Sequence, residues 1–184
     1  MLYLVECNYA DPDSEAEWNG FYSDEKLPAL ISVHGFLTSQ RFRRIGPDGP
    51  AYLAIHTLAG EEVLRGEAYR RQGGGNFARW QAHIRDWRRS LYDGVERAPD
   101  VGPDDCLALS LRGPDSLRAL GLAPRMLHGA GLAAMPAQRW FAVSGRHELA
   151  LAGTALHDVL LYRPITPQLT ACAAHPLSPL HARH

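Results

Sequence analysis

A turn signal between two apolar segments constrains the fold of this chain more than any other feature. The run Gly46-Pro47-Asp48-Gly49-Pro50 separates residues 36–45 from residues 51–58, and both flanking segments are rich in apolar and aromatic residues. Glycine, proline and aspartate reach turn conformations at little cost, whereas the flanking segments favour extended backbone. The pattern predicts an antiparallel hairpin that supplies the second and third strands of a sheet.

The segment before the hairpin predicts a strand followed by a helix. Side chains of residues 2–8 alternate along the chain as they do in a strand. Residues 11–14 then offer helix-capping side chains, and Pro28 should interrupt or bend the helix that follows. The apolar stripe of that helix comprises Trp18, Phe21 and Tyr22.

The segment after the hairpin predicts two further helical pieces, over residues 61–71 and 77–92, separated by a run of three glycines. In the second piece one helical face would carry Trp80, His83, Ile84 and Trp87. Strand, helix, hairpin and helix make up most of a ferredoxin-like βαββαβ unit. We therefore predict an α+β fold, an antiparallel sheet with helices on one face.

The second half of the chain resembles a weaker copy of the first. A proline-containing joint at 99–105 suggests a module over 1–98, a degenerate second ferredoxin-like half over 105–164, and a flexible tail over 165–184. The repeat hypothesis compares two triplets, Gln40-Arg41-Phe42 and Gln138-Arg139-Trp140. An unrelated β-rich cap is the alternative.

A sheet with helices on one face leaves its other face in need of apolar cover. Two solutions remain open from the sequence. A second copy of the chain could supply the cover in a homodimer, or the second half could supply it in an intramolecular pseudo-dimer.

Composition narrows the classes of function. A formal net charge of -1 argues against a nucleic-acid binder. No apolar run approaches the roughly 20 residues of a membrane span, and no signal peptide is visible. Three cysteines far apart in sequence indicate neither a disulfide framework nor a zinc site. We expect a cytoplasmic protein without a metal, membrane or nucleic-acid partner.

The motifs around the first helix resemble a known family. The run from Trp18 to Pro28, then His34-Gly35-Phe36 and the Arg41-Phe42 pair, is similar to the dimeric α/β-barrel superfamily and its EthD-like family. That family runs roughly F-N-x-W-Y-x-x-E-H-L-P, then P-G-F, then an Arg-aromatic pair. The resemblance covers about the first 95 residues. It departs from the family at two positions, with Lys26 in place of the family's His and His34 in place of its Pro.

Four residues are candidates for catalysis. His56 lies on the strand face opposite its apolar neighbours, where an imidazole could move protons or could simply be structural. Arg41 could polarise a carbonyl or enol oxygen, and Tyr22 could donate a hydrogen bond to it. His34 lies in a loop that could frame a cleft.

Five further residues qualify that hypothesis. Lys26, the sole lysine, could act as a base only if burial lowered its pKa, so we expect a solvated charge at the helix end. The other four residues are candidates for substrate binding, and the aromatic ones among them could instead pack in the core. The candidate substrate-binding residues are Trp18, Arg43, Tyr52 and Trp80.

Two functions follow from the resemblance and the residues. The first is an enzyme that binds a small apolar or aromatic carbonyl or enol compound and uses acid/base chemistry without a cofactor. The second is a non-catalytic ligand-binding or accessory protein that docks to an oxidative catabolic system. The sequence alone does not decide between them.

Overall fold

The structure is a computed structural model that describes residues 1–73, 77–145 and 158–171. A continuous helical segment follows the first strand; it consists of α1 (Pro12–Phe21), a π-helical turn (Tyr22–Lys26) and α2 (Leu27–Ile31). Short helices elsewhere are 3-10 turns at Glu61–Arg65 and Ala78–His83, α3 (Glu67–Gln72) and α4 (Asp115–Ala119). The strands are β1 (Leu2–Tyr9), β2 (Phe36–Ile45), β3 (Tyr52–Leu58), β4 (Ile84–Asp93), β5 (Asp105–Ser110), β6 (Arg125–Leu132), β7 (Gln138–Gly145), β8 (Val159–Pro164) and β9 (Leu169–Thr170).

Eight of these strands form a closed antiparallel barrel. Their order is β3-β1-β4-β6-β7-β5-β8-β2, and the pairing of β2 with β3 closes the ring. The first half contributes β2-β3-β1-β4 and the second contributes β6-β7-β5-β8, so the two halves share one strand order. They meet where β4 pairs with β6 and where β2 pairs with β8. The fold is therefore an α+β barrel with few helices.

The predicted hairpin is confirmed. β2 and β3 pair antiparallel from Phe36 opposite Leu58 to Arg43 opposite Tyr52, with one register shift near Thr38. The predicted turn connects them, and Gly46 and Gly49 adopt φ values of 89° and 83° there. Other residues rarely adopt this left-handed backbone.

The predicted helix over residues 77–92 is wrong. Only Ala78–His83 is helical, as a 3-10 turn, and Ile84–Asp93 is strand β4 between β1 and β6. Leu91 and its neighbour Tyr92 pack in hydrophobic clusters on opposite sides of the sheet, which is the two-residue period of a strand. The aromatic residues have helical spacing, but strand pairing decides the structure here. β1 has β3 on one edge, and β4 supplies its hydrogen-bonding partner on the other.

The two triplets that suggested an internal repeat are not equivalent positions. Gln40-Arg41-Phe42 lies in β2, whereas Gln138-Arg139-Trp140 lies in β7, which takes the place of β3 in its half. Phe42 packs inside the barrel, while Trp140 packs against a separate cluster with Leu117. The two halves share a strand order, but the two triplets do not occupy equivalent strands in it.

The two larger hydrophobic cores among the described residues lie on opposite faces of the barrel wall. The inner core includes Leu4, Leu53 and Tyr162, all nearly inaccessible to solvent. The outer core lies between the sheet and the helical segment 12–31, and Tyr3 and Trp18 belong to it. Alternation along β1 and β3 distributes side chains between the cores. The barrel interior is therefore packed with side chains.

One ion pair lies inside the barrel. The Arg139 guanidinium donates two hydrogen bonds of 2.8 Å to the Glu6 carboxylate, and both side chains are buried. Arg139 also donates to the Met135 carbonyl oxygen, and its charge lies 5.3 Å from the centre of the Tyr92 ring. Because Glu6 belongs to β1 and Arg139 to β7, the pair connects the two halves of the chain.

The start of the predicted tail is hydrogen-bonded to the barrel. The Ile165 amide donates to the Arg41 carbonyl oxygen, and β9 pairs with Thr38 and Ser39 of β2. Residues 172–184, the remainder of the predicted tail, lie outside the described residues.

Candidate functional site

A π-helical turn directs two side chains toward the sheet. Pro28 has no N–H to donate to the carbonyl of residue 24, so the regular α-helical ladder cannot continue there. The Leu27 amide instead donates to the Tyr22 carbonyl oxygen, five residues earlier. Tyr22 and Lys26, at the two ends of this turn, are both buried against the outer sheet face. Such turns are common at functional sites.

His56 lies beneath this turn, fully buried on the outer face of β3. Its Nδ1 is 2.8 Å from Ser39 Oγ, and its ring stacks on Tyr3 with centroids 5.5 Å apart. Among the described residues its Nε2 has no hydrogen-bond partner. Burial lowers the pKa of His56 to about 3, so the imidazole is neutral at physiological pH.

Two tyrosine hydroxyls lie next to His56. Tyr3 and Tyr69 are joined by a hydrogen bond of 3.0 Å between their hydroxyl oxygens. Burial and the neighbouring Tyr69 raise the pKa of Tyr3, while the nearby charge of Arg89 lowers it. Burial likewise raises the pKa of Tyr22. The hydroxyls of Tyr3 and Tyr22 therefore remain protonated and can donate hydrogen bonds to a ligand oxygen.

These side chains surround a small cavity of about 10 Å³. That volume corresponds to about one water molecule. The walls are mainly aromatic, with His56 and Lys26 as their titratable nitrogen groups. The wall includes Tyr3, Tyr22, Tyr69, Phe77 and Trp87.

The expectation of a solvated Lys26 is wrong. Lys26 is 7% exposed, and its Nζ donates a hydrogen bond of 2.5 Å to the Gly73 carbonyl oxygen. The Nζ also lies 4.6 Å from the centre of the Phe77 ring. Burial lowers its pKa to about 8. Lys26 follows Tyr22 by four residues in the helical segment, and both side chains face the sheet.

Arg41 lies on the same outer face, separated from the cavity by Tyr22. Its guanidinium is buried 4.0 Å from the centre of the Tyr22 ring and donates hydrogen bonds to Ser23 and to two oxygens of Asn19. It forms no ion pair with a carboxylate in the part of the chain that the structure describes. Burial lowers its pKa to about 10. Arg41 therefore fixes the helix that carries Tyr22.

The four candidate substrate-binding residues do not line the cavity. Trp18 stacks on Tyr9 at 4.6 Å and is fully buried, and Tyr52 donates to the Glu15 carboxylate. Arg43 is half-exposed and lies 3.5 Å from the same carboxylate. Trp80 packs on Phe21 near the surface, with ring centroids 4.6 Å apart.

His34 is exposed and lines a different space, a surface groove of about 740 Å³ beside Gly35 and Leu37. The structure thus brings His56 and Tyr22 together and leaves His34 apart from them.

Sequence reasoning missed several residues around His56. Trp87 was assigned to a helix face, although its alternation with Arg88 along β4 is a strand signal. Tyr3 and Ser39 are ordinary strand residues whose proximity arises only when β1, β3 and β2 pair. Tyr69 reaches the cavity from α3, and no local motif predicts that contact.

Comparisons with known proteins support the fold alone. An anthrone oxidase-like protein of known structure aligns with 96% of this chain and 95% of its own, at 11% identity and a TM-score of 0.59. A "putative monooxygenase" from Lactobacillus acidophilus NCFM aligns with 92% of this chain and 96% of its own, at 9% identity and a TM-score of 0.53. No protein-family model and no curated protein sequence matches the chain.

Two features are absent from the described residues. None of their helices has the length and apolar character needed to cross a membrane. They also contain no cluster of three or more His, Cys, Asp or Glu side chains that could hold a metal ion.

Proposed function

We propose that this protein binds a flat aromatic carbonyl or enol compound beneath the helical segment 12–31 and removes a proton from it without a cofactor. The observation that carries the proposal is the state of His56, a neutral, fully buried imidazole whose Nε2 has no partner among the described residues. A buried polar atom without a partner is costly and marks a place for a ligand group. The two solved structures similar to this chain, an anthrone oxidase-like protein and a "putative monooxygenase", add support for a small-molecule-binding barrel.

The proposed proton transfer uses the hydrogen bond between His56 and Ser39. If Nδ1–H donates to Ser39 Oγ, the lone pair of Nε2 is free to accept a proton from the ligand. The imidazolium would then lie beside the enolate that it has just created. That negative charge offsets the burial that lowers the pKa of His56 in the free protein. Tyr22 and Tyr3 would donate hydrogen bonds to the enolate oxygen.

The ligand ring would take the place of protein side chains. The cavity accepts little more than one water molecule, and the rings of Tyr69 and Phe77 fill the space beside it. Tyr69 belongs to the short helix α3, and Phe77 immediately precedes the 3-10 turn at Ala78–His83. We propose that these two side chains move aside when an aromatic ligand enters.

Anthrone is the test substrate, because reaction with O₂ converts it to anthraquinone and water. Two hydrogens on one carbon are replaced by a carbonyl oxygen, and they leave with the other oxygen atom as water. Anthrone loss in air should be faster with protein than without it. His56→Gln should slow the protein-dependent rate by at least about 100-fold, as loss of a general base does. The matched control is His128→Gln on exposed β6, which should match the parent rate; equal rates for the His56 variant would contradict the proposal.

A packed barrel interior favours one alternative, a non-catalytic protein that docks to an oxidative catabolic system. Exposed apolar side chains such as Leu132 and Met135, 50% and 62% exposed, would then contact the partner. The anthrone experiment separates the two functions, because a docking protein gives no rate above the background oxidation.

We also propose the finer family assignment and assembly. The first half has the strand order β2-β3-β1-β4 with a helix between β1 and β2, which supports a ferredoxin-like unit and the resemblance to EthD-like proteins. Because the second half pairs with it at both edges, we propose an intramolecular pseudo-dimer in place of a homodimer. Cys7 is a buried free thiol, which supports a cytoplasmic location.

A further inference from the structure

Lys26 lies between two spaces. On one side is the cavity of about 10 Å³ that His56 lines. On the other side is an open surface groove of about 320 Å³ whose walls include Phe21 and Gln72. The two spaces share two lining residues, Lys26 and Gly73, which are joined by the hydrogen bond from Nζ to the carbonyl oxygen.

The outer groove has a size suited to a small aromatic molecule. Ligand pockets begin at about 300 Å³, whereas the inner cavity is far smaller. A compound that enters through the groove therefore meets the Lys26 amine before it reaches His56. The Phe21 ring and the methylenes of Lys26 provide apolar surface there, and Gln72 provides an amide.

The chemistry of this amine differs from that of an ordinary lysine. Burial lowers the pKa of Lys26 to about 8. At about pH 7.5 roughly a quarter of such amines are unprotonated, against about one in a thousand at the ordinary lysine pKa. The unprotonated amine is the nucleophile in imine formation, and desolvated lysines serve this role in enzymes. Lys26 is also the sole lysine of the chain.

We infer that Lys26 is a carbonyl-capturing residue, which forms an imine with an aldehyde or unhindered ketone that enters from the outer groove. The inference rests on the proposed function in its choice of a carbonyl ligand. The Nζ lone pair attacks the carbonyl carbon to give a carbinolamine, which then loses water, so that the nitrogen gains a C=N bond and the carbonyl oxygen leaves in that water. No oxidant or reductant takes part. The hydrogen bond to Gly73 holds the nitrogen at the boundary between the groove and the cavity.

Reductive trapping tests this inference, with benzaldehyde as the probe and cyanoborohydride to fix the imine as a stable amine. The chain has two primary amines, Lys26 and the N-terminus. The labelling rate of the N-terminus therefore serves as an internal reference for the labelling rate of Lys26. In denatured protein at about pH 7.5 the N-terminus should react faster, since its pKa of about 8 lies below that of an ordinary lysine. In folded protein Lys26 should react faster, and its rate should saturate with benzaldehyde concentration. Peptide mapping by mass spectrometry gives both rates.

The same order of labelling in folded and denatured protein would overturn the inference, as would a Lys26 rate that rises linearly with benzaldehyde. In the Lys26→Met variant, only the N-terminus should be labelled. His56→Gln separates this inference from the proposed function. If that variant loses anthrone turnover but keeps fast, saturable labelling, both stand; if anthrone is never consumed but labelling persists, the proposed function fails and the role of Lys26 stands.

Discussion

Replacing Arg139 with leucine is expected to lower the free energy of unfolding by about 3–5 kcal/mol, because it leaves the Glu6 carboxylate buried without its main partner. Glu6 is 1% exposed, and its other ion-pair partner, Arg88, is 40% exposed and 3.5 Å away. That weaker contact cannot replace two hydrogen bonds of 2.8 Å. Urea denaturation followed by circular dichroism measures the change.

Two controls make the result specific to the buried pair. Arg118→Leu removes an exposed partner of Asp115 and should cost less than about 1 kcal/mol. The double variant Glu6→Leu with Arg139→Leu removes both charges and should be more stable than Arg139→Leu alone. If the double variant were the less stable of the two, the uncompensated carboxylate would not be the cause.

Acid should destabilise the folded protein through His56. Its pKa is about 3 in the folded chain and about 6.5 as an ordinary histidine, so the unfolded chain binds a proton between these values that the folded chain does not. The contribution of His56 is therefore complete above about pH 6.5 and is lost as the pH falls toward 3, by up to about 5 kcal/mol.

His56→Gln isolates this effect, because glutamine cannot titrate in this range. The difference in the free energy of unfolding between parent and variant should shrink as the pH falls from about 6.5, since only the parent loses the His56 contribution. Urea denaturation at a series of pH values measures it, and His128→Gln is the exposed control. Parallel curves for the parent and His56→Gln would show that His56 does not titrate abnormally.

Local patterns predicted the elements whose partners lie close in sequence. Gly46 and Gly49 mark a turn whose two strands are adjacent, so the hairpin of β2 and β3 followed from the turn residues. Alternation likewise placed His56 on the face opposite Leu53 and Ile55, which point into the barrel. These inferences need only the two-residue period of a strand.

Local patterns did not predict elements whose contacts are with residues far away in the sequence. Trp80 and Trp87 have helical spacing, yet β4 is a strand because it completes the sheet between β1 and β6. Lys26 was expected as a solvated charge at the helix end, whereas it is buried and donates to the carbonyl oxygen of Gly73, 47 residues later in the chain. The contact between Tyr69 and Tyr3 joins residues far apart in sequence, and no local signal marks it.

The proposed function places the ligand between the helical segment 12–31 and the outer face of the barrel wall. NMR chemical shifts of side chains locate the ligand, with anthrone added under anaerobic conditions so that it is not oxidised. We predict shift changes at His56, Tyr69 and Trp87, which line the cavity of about 10 Å³. Changes confined to Leu107, Leu109 and Phe141, inside the barrel, would contradict this placement.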